Sequence, residues 1–170
     1  MKISWVATRC EINERGDLYS VSASTRYRCL IPSALIEKFG HDVNIIRSDT
    51  LSHPDEVKDD EFGDVVVFVK SFQQIDEILA GRAKKLGRQV VYDFCDLDFL
   101  KPGLKEHRHK MAHIANHCVA TGLYLAEEVS RCLKIVAPSV ISDPFEGPNG
   151  NPMFQPNERE LNLLWFGHAA

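Results

Sequence analysis

The sequence predicts an α/β fold built on a parallel β-sheet. Nearly continuous runs of β-branched and aromatic residues at 64–70 and 89–94 are typical of strands buried on both faces of such a sheet. Segments of helical period, such as residues 72–86, lie between the apolar runs. Because strands and helices alternate along the chain, we expect right-handed crossovers and a doubly wound, Rossmann-like parallel sheet with helices on both faces.

The first 70 residues are predicted to contain three strands and one helix. Residues 2–8 and 42–46 have the apolar density of short strands, as does the run at 64–70. The polar segment between the first strand and Cys29 carries turn residues and predicts a long loop. From Cys29 onward, apolar residues recur at helical spacing until Gly40, a residue type that commonly ends helices.

The second half continues the alternation without a break. Apolar spacing predicts helices over 72–86, 104–115 and 123–133, and strands over 89–94, 117–122 and 134–141. We therefore expect one Rossmann-like N-terminal domain over residues 1–141. Residues 142–160 are rich in proline and glycine, which predicts an interdomain linker. Residues 161–170 are predicted to be the first strand and turn of a second, truncated α/β domain.

Composition and charge exclude several classes of protein. Apolar residues make up 44% of the chain and charged residues 26%, as in folded globular proteins. The net charge of -4 and the short basic runs argue against a nucleic-acid partner. Five widely spaced cysteines without a C-x-x-C pair favour neither disulfides nor zinc, so a cytoplasmic location is the simplest expectation. No segment resembles a signal peptide or a membrane helix, which leaves open peripheral contact at the inner membrane face.

Two groups of polar residues are candidates for a binding site. Ser24, Arg26 and Arg28 alternate ahead of the predicted first helix, and on an extended segment their side chains would share a face and bind a phosphate or carboxylate. A solvated loop in which one arginine pairs with a carboxylate is the alternative. The second group is Asp93, Asp96 and Asp98, at the carboxyl end of a predicted central strand.

The three aspartates lie where doubly wound sheets place their ligands. One of them could act as a general base toward a sugar hydroxyl or hold polar substrate atoms. The alternatives are a helix cap by Asp96 or Asp98 and a structural arginine partner for Asp93. No complete metal-ligand set is spaced around them, and no metal or cofactor is expected. His107, His109, His113 and His117 resemble a metal cluster at first. However, His109 and His113, four residues apart on the predicted helix, lack the H-E-x-x-H pattern and predict a solvated helix face.

Several segments occur in an order known from one enzyme family. They are the Ser24, Arg26, Arg28 series, 39–43 (FGHDV), 64–70 (DVVVFVK), 87–99 (GRQVVYDFCDLDF), 115–131 (ANHCVATGLYLAEEVSR) and 139–146 (SVISDPFE). In this order the chain resembles the N-terminal, acceptor-side domain of GT-B glycosyltransferases of the group 1 class. The most specific segment, 118–129, is similar to the family's strand and helix in which a serine or threonine precedes the helix. Residues 161–170 resemble the opening strand of the family's donor-binding domain.

The resemblance implies an enzyme that transfers a sugar from a nucleotide-sugar donor to a saccharide or lipid-linked acceptor. It implies Asp96 as the catalytic residue in contact with the acceptor. The further substrate-binding residues that it implies are Ser24, Arg26, Arg28, Asp93, Asp98 and Thr121. Because most of the donor-binding domain is lacking, the chain alone is expected to be inactive, and the apolar strand at 161–166 could pair two copies. A non-catalytic carbohydrate- or nucleotide-binding domain and a protein-interaction scaffold remain alternatives.

Overall fold

A computed structural model describes residues 1–144. Six parallel strands form the main sheet: β1 (Lys2–Ala7), β4 (Asp42–Arg47), β5 (Val65–Val69), β6 (Gln89–Phe94), β7 (His117–Ala120) and β8 (Ser139–Val140). A small antiparallel hairpin joins β2 (Glu11–Ile12) to β3 (Leu18–Tyr19). The strand order in the sheet is β4-β1-β5-β6-β7-β8. The predicted parallel α/β sheet is confirmed, with β1, β5 and β6 in its interior.

The helices occupy both faces of the sheet, as predicted. One face carries α3 (Gln74–Lys85), α4 (Lys105–Ile114) and α5 (Leu123–Leu133), packed in one cluster with buried strand residues such as Phe68 and Tyr92. The other face carries a helical segment made of α1 (Ala23–Thr25), a π-helix (Arg26–Leu30) and α2 (Ile31–Lys38). The strand order explains why the helices lie on two faces. Right-handed crossovers that move the chain in one direction across the sheet place their helices on one face, and a crossover in the opposite direction places its helix on the other face.

Two predicted boundaries near the ends of β1 and α5 were wrong. The expected long loop before Cys29 contains the β2–β3 hairpin, and the helix begins at Ala23, six residues earlier than Cys29. The expected strand at 134–141 is reduced to Ser139–Val140. Lys134 ends α5 in a left-handed conformation with φ 54°, and Pro138 cannot donate a hydrogen bond to a neighbouring strand.

The predicted linker and second domain lie almost entirely outside the described residues. Only Ser142–Pro144 of the linker are described, and they form neither helix nor strand. The strand predicted at 161–170 lies outside the described range. Within residues 1–144, no helix combines the length and apolarity needed to cross a membrane.

Candidate functional site

The chain reverses its direction across the sheet between β1 and β5. The first crossover carries it from β1 to the edge strand β4, and the next crossover returns it to β5 on the other side of β1. In open α/β sheets, ligands bind in the crevice that this reversal opens outside the carboxyl ends of the strands. Arg9 and Lys70 follow these two strand ends, and the hydroxyl of Thr8 donates to the carbonyl oxygen of Lys70 at 3.3 Å.

Arg9 and Lys70 both have left-handed backbone conformations. Their φ angles are 59° and 51°, a region that costs a residue with a Cβ roughly 1–2 kcal/mol. Of the 144 described residues, one other that is not glycine has a positive φ, and that residue is the helix cap Lys134. Backbone strain of this kind clusters at ligand-binding positions. The strain is thus concentrated at the two strand ends that border the crevice.

An open cleft of about 760 Å³ lies at this edge of the sheet, which we call the carboxyl-edge cleft. Its charged lining consists of Arg9, Lys70, Lys101, Asp96 and Asp98. The ammonium group of Lys70 is in contact with the carboxylate of Asp96, whose side chain is 53% exposed. The cleft therefore presents hydrogen-bond donors and an accessible acceptor side by side.

Asp98 has a structural role at the back of the cleft. Its side chain is 9% exposed, and one oxygen accepts a hydrogen bond of 2.9 Å from the guanidinium of Arg108. The ammonium groups of Lys101 and Lys70 lie 3.6 and 3.9 Å from its carboxylate oxygens. Arg108 is itself buried and also donates to the hydroxyl of Tyr92. Asp98 thereby anchors the loop that carries Asp96.

Asp93 is paired with Arg28 inside the domain. Two hydrogen bonds of 2.7 and 3.0 Å join the guanidinium to the two carboxylate oxygens, and both residues are about 5% exposed. Arg28 also donates to the carbonyl oxygen of Ile141, at 2.6 Å, which ties down the chain after β8. The structural arginine partner considered for Asp93 is therefore the arrangement found.

Burial raises the pKa of Asp93 to about 6, even though the guanidinium of Arg28 acts in the opposite direction. The folded protein then binds a proton more readily than the unfolded chain, whose aspartates titrate near 3.8. This contribution to stability is complete below about pH 4 and is lost as the pH rises through about 6.

We expect the free energy of unfolding of the wild type to rise relative to that of Asp93→Asn as the pH falls from about 6 to about 4. Each unit of pKa difference is worth about 1.4 kcal/mol, so the full change is roughly 3 kcal/mol. Urea unfolding of both proteins across this pH range measures it. A difference in stability that does not vary with pH would contradict the raised pKa.

The structure does not bring Ser24, Arg26 and Arg28 together on one face. The expected extended segment is helical, so alternate side chains point in different directions around its axis. Arg28 turns into the domain, whereas Arg26 donates to the carbonyl oxygens of Ser20 and Val21 at 3.2 and 3.1 Å.

Arg28 and Asp93 line a separate, mostly apolar groove of about 310 Å³, while Asp96 lines the carboxyl-edge cleft, so the two groups of candidate residues do not form one site. The groove lies on the face of the sheet that carries α2. Thr121 is half-buried and directly follows β7 at the carboxyl edge. No described contact links it to Asp96.

A buried polar cluster beside the cleft has the order of groups found in serine hydrolases. The Ser71 hydroxyl lies 3.0 Å from Nε2 of His107, whose Nδ1 lies 2.7 Å from a carboxylate oxygen of Glu77. However, Ser71 is 2% exposed and its hydroxyl donates to Asp76 at 3.0 Å, so a substrate has no access to it. The cluster joins α3 to α4 through the buried His107, whereas His109 and His113 are exposed on α4, as predicted.

The sequence patterns did not identify the cationic residues of the cleft. Arg9, Lys70 and Lys101 carry no motif and attract no notice in a chain with 20 lysines and arginines. Lys70 was identifiable in principle, because it directly follows a strand at the edge where such sheets bind ligands. Arg9 is the second residue after β1, at the same edge of the sheet.

The described residues contain no group of three His, Cys, Asp or Glu side chains placed to hold a metal ion. The chemistry available at the cleft is therefore that of ammonium and guanidinium donors beside one exposed carboxylate. Two comparisons with known proteins ended without a match: no model of a protein family matches this chain, and no curated protein matches it.

Proposed function

We propose that this domain binds the saccharide acceptor of a sugar-transfer reaction in the carboxyl-edge cleft. The observation that carries the proposal is the exposed carboxylate of Asp96, which lies at the mouth of a cleft beside the reversal point of a doubly wound sheet. A carboxylate in this position can accept a hydrogen bond from a sugar hydroxyl, and in a transfer reaction it can accept the proton of that hydroxyl.

The composition of the cleft supports a polar ligand of this kind. Besides its charged groups, the lining includes Phe72. The ammonium group of Lys70 lies over the Phe72 ring, 5.5 Å from the ring centroid. Sugars present both hydroxyl groups and apolar ring faces, so a cleft with an exposed acceptor, several donors and one aromatic ring matches their chemistry. The ordered resemblance to acceptor-side domains of group 1 glycosyltransferases points to the same class of ligand.

A binding titration of the 170-residue protein tests the proposal. Neutral mono- and disaccharides are added to ¹⁵N-labelled protein, and amide shifts are followed by NMR. We expect a binding saccharide to shift the amides of Lys70, Asp96 and their neighbours in sequence. The Asp96→Asn variant should bind that saccharide on the order of 10-fold more weakly, because a charge-assisted hydrogen bond is replaced by a neutral one.

The matched control is Asp42→Asn, which removes the same charge from an exposed position at the opposite, amino end of the sheet. This variant should bind like the wild type. Nucleotide sugars form a second arm of the titration, and we expect them to bind more weakly than the acceptor saccharide, since the resemblance assigns the donor to another domain. If no saccharide shifts the cleft amides, the acceptor proposal is wrong.

A second candidate function, non-catalytic binding of a carbohydrate or nucleotide, has one specific observation in its favour. The ammonium group of Lys70 is in direct contact with the carboxylate of Asp96, and in a transfer reaction this contact would have to give way to the acceptor hydroxyl. A domain that only binds its ligand could keep the contact between Lys70 and Asp96 as it is. Tighter binding of a nucleotide or nucleotide sugar than of any saccharide or sugar phosphate in the same titration would favour this candidate over the acceptor site.

A further inference from the structure

We propose that the ligand of the carboxyl-edge cleft carries a phosphate group, bound by Lys70 and Lys101 with Arg9 at the rim. This inference rests on the proposed function, since it specifies a phosphorylated saccharide as the ligand of the same cleft. It assigns the phosphate to cations that follow β1, β5 and β6, and the sugar hydroxyls to Asp96.

The balance of charge in the cleft favours an anion. Three cationic side chains line it against two carboxylates, those of Asp96 and Asp98. One of these carboxylates, Asp98, is already engaged by the buried guanidinium of Arg108 at 2.9 Å. When that fourth cation is included, the wall of the cleft carries more positive than negative charge, although the chain as a whole has a net charge of -4.

The donors of the cleft have hydrogen-bonding capacity left for a ligand. An ammonium group has three N–H donors. The Lys70 ammonium contacts Asp96 and lies 3.9 Å from Asp98, which leaves at least one donor for a further acceptor. Lys101 lies 3.6 Å from Asp98, and its side chain is 70% exposed to the solvent in the cleft. A phosphate oxygen could therefore bind both ammonium groups without displacing Asp96 or Asp98.

The backbone positions of Arg9 and Lys70 are fixed by hydrogen bonds to neighbouring elements. The left-handed conformation of Lys70 departs from the extended strand at Val69 and directs the chain to the edge of the sheet. The Thr8 hydroxyl fixes the Lys70 carbonyl oxygen, and Asp49 accepts a hydrogen bond of 2.7 Å from the amide of Arg9. The two residues that border the crevice are thus tied to neighbouring elements.

The test compares three probes by NMR titration of the 170-residue protein: glucose, glucose 6-phosphate and inorganic phosphate. We expect glucose 6-phosphate to bind on the order of 10-fold more tightly than glucose, because hydrogen bonds to charged groups are stronger than neutral ones. The Lys101→Met and Lys70→Met variants should lose most of this advantage. Lys85→Met, which removes an exposed lysine at the far end of α3, should retain it.

The outcomes separate this inference from the proposed function. Equal binding of glucose and glucose 6-phosphate would overturn the phosphate site and leave the saccharide site intact. Binding of inorganic phosphate and glucose 6-phosphate with equal affinity, lost in Lys101→Met, would support the phosphate site and contradict the saccharide site. If neither sugar nor phosphate shifts the cleft amides, both proposals are wrong. Because Lys101 is exposed, a folding defect in Lys70→Met alone would not obscure the result.

Discussion

Replacing Gly63 with alanine is expected to destabilise the domain by about 3 kcal/mol. A Cβ atom at this position would lie 2.5 Å from the carbonyl oxygen of Lys2 and 2.9 Å from the amide nitrogen of Ser4, far inside van der Waals contact. Both contacts are with backbone, so no side-chain rotation relieves them. The backbone of residues 63–65 would have to move away from β1, on which β5 depends for its pairing.

Several hydrogen bonds would be disturbed by this movement. The amide of Gly63 donates to the Ser4 hydroxyl at 2.8 Å, and the amide of Asp64 donates to the Lys2 carbonyl oxygen at 2.7 Å. Urea unfolding followed by circular dichroism measures the loss. The control is Gly81→Ala in α3, where the new Cβ meets open space and alanine should stabilise the helix by about 0.5–1 kcal/mol. Equal stability of the two variants would contradict the close approach at Gly63.

The Arg28→Met variant is expected to lose about 3–5 kcal/mol of stability at neutral pH. Removal of the guanidinium leaves the carboxylate of Asp93 buried without a counter-charge, and it frees the carbonyl oxygen of Ile141. Methionine retains much of the apolar volume of the arginine stem, so the loss reports mainly on charge and hydrogen bonding.

Two measurements identify the buried charge as the cause. The loss should shrink as the pH falls toward about 6 and then level off, because Asp93 without Arg28 takes up its proton at a still higher pH and the protonated group needs no counter-charge. The control is Arg131→Met, which removes an exposed arginine paired with Glu128 and should cost less than about 1 kcal/mol. A loss for Arg28→Met as small as that of the control would show that the Asp93 pair contributes little.

Much of the fold could be predicted from local sequence patterns. The strands at 65–69 and 89–94 and the helices at 74–85, 105–114 and 123–133 lie within one or two residues of their predicted bounds. Each has an apolar pattern that its own residues determine, together with a glycine or proline near its end. The helical segment at 23–28 was missed because its serine, threonine and arginine residues give no apolar period.

The candidate site could be predicted only in part. The position of Asp96 beyond a central strand placed it at the carboxyl edge, and the structure puts it in a cleft there. The partner of each charged group could not be predicted. Lys70 meets Asp96 across 26 residues of sequence, and Arg28 meets Asp93 across 65.

The sequence by itself determined the class of the fold, because burial of a strand on both faces and amphipathic helices are local properties of the chain. It also determined which strand ends carry charge. Only the tertiary structure decided which of these charges are paired in the interior and which face the cleft. The reason is that the pairing depends on the order of strands in the sheet and on the face to which each helix turns. Arg28 and Asp93 share one face as a buried pair, while Lys70 and Asp96 meet at the open edge.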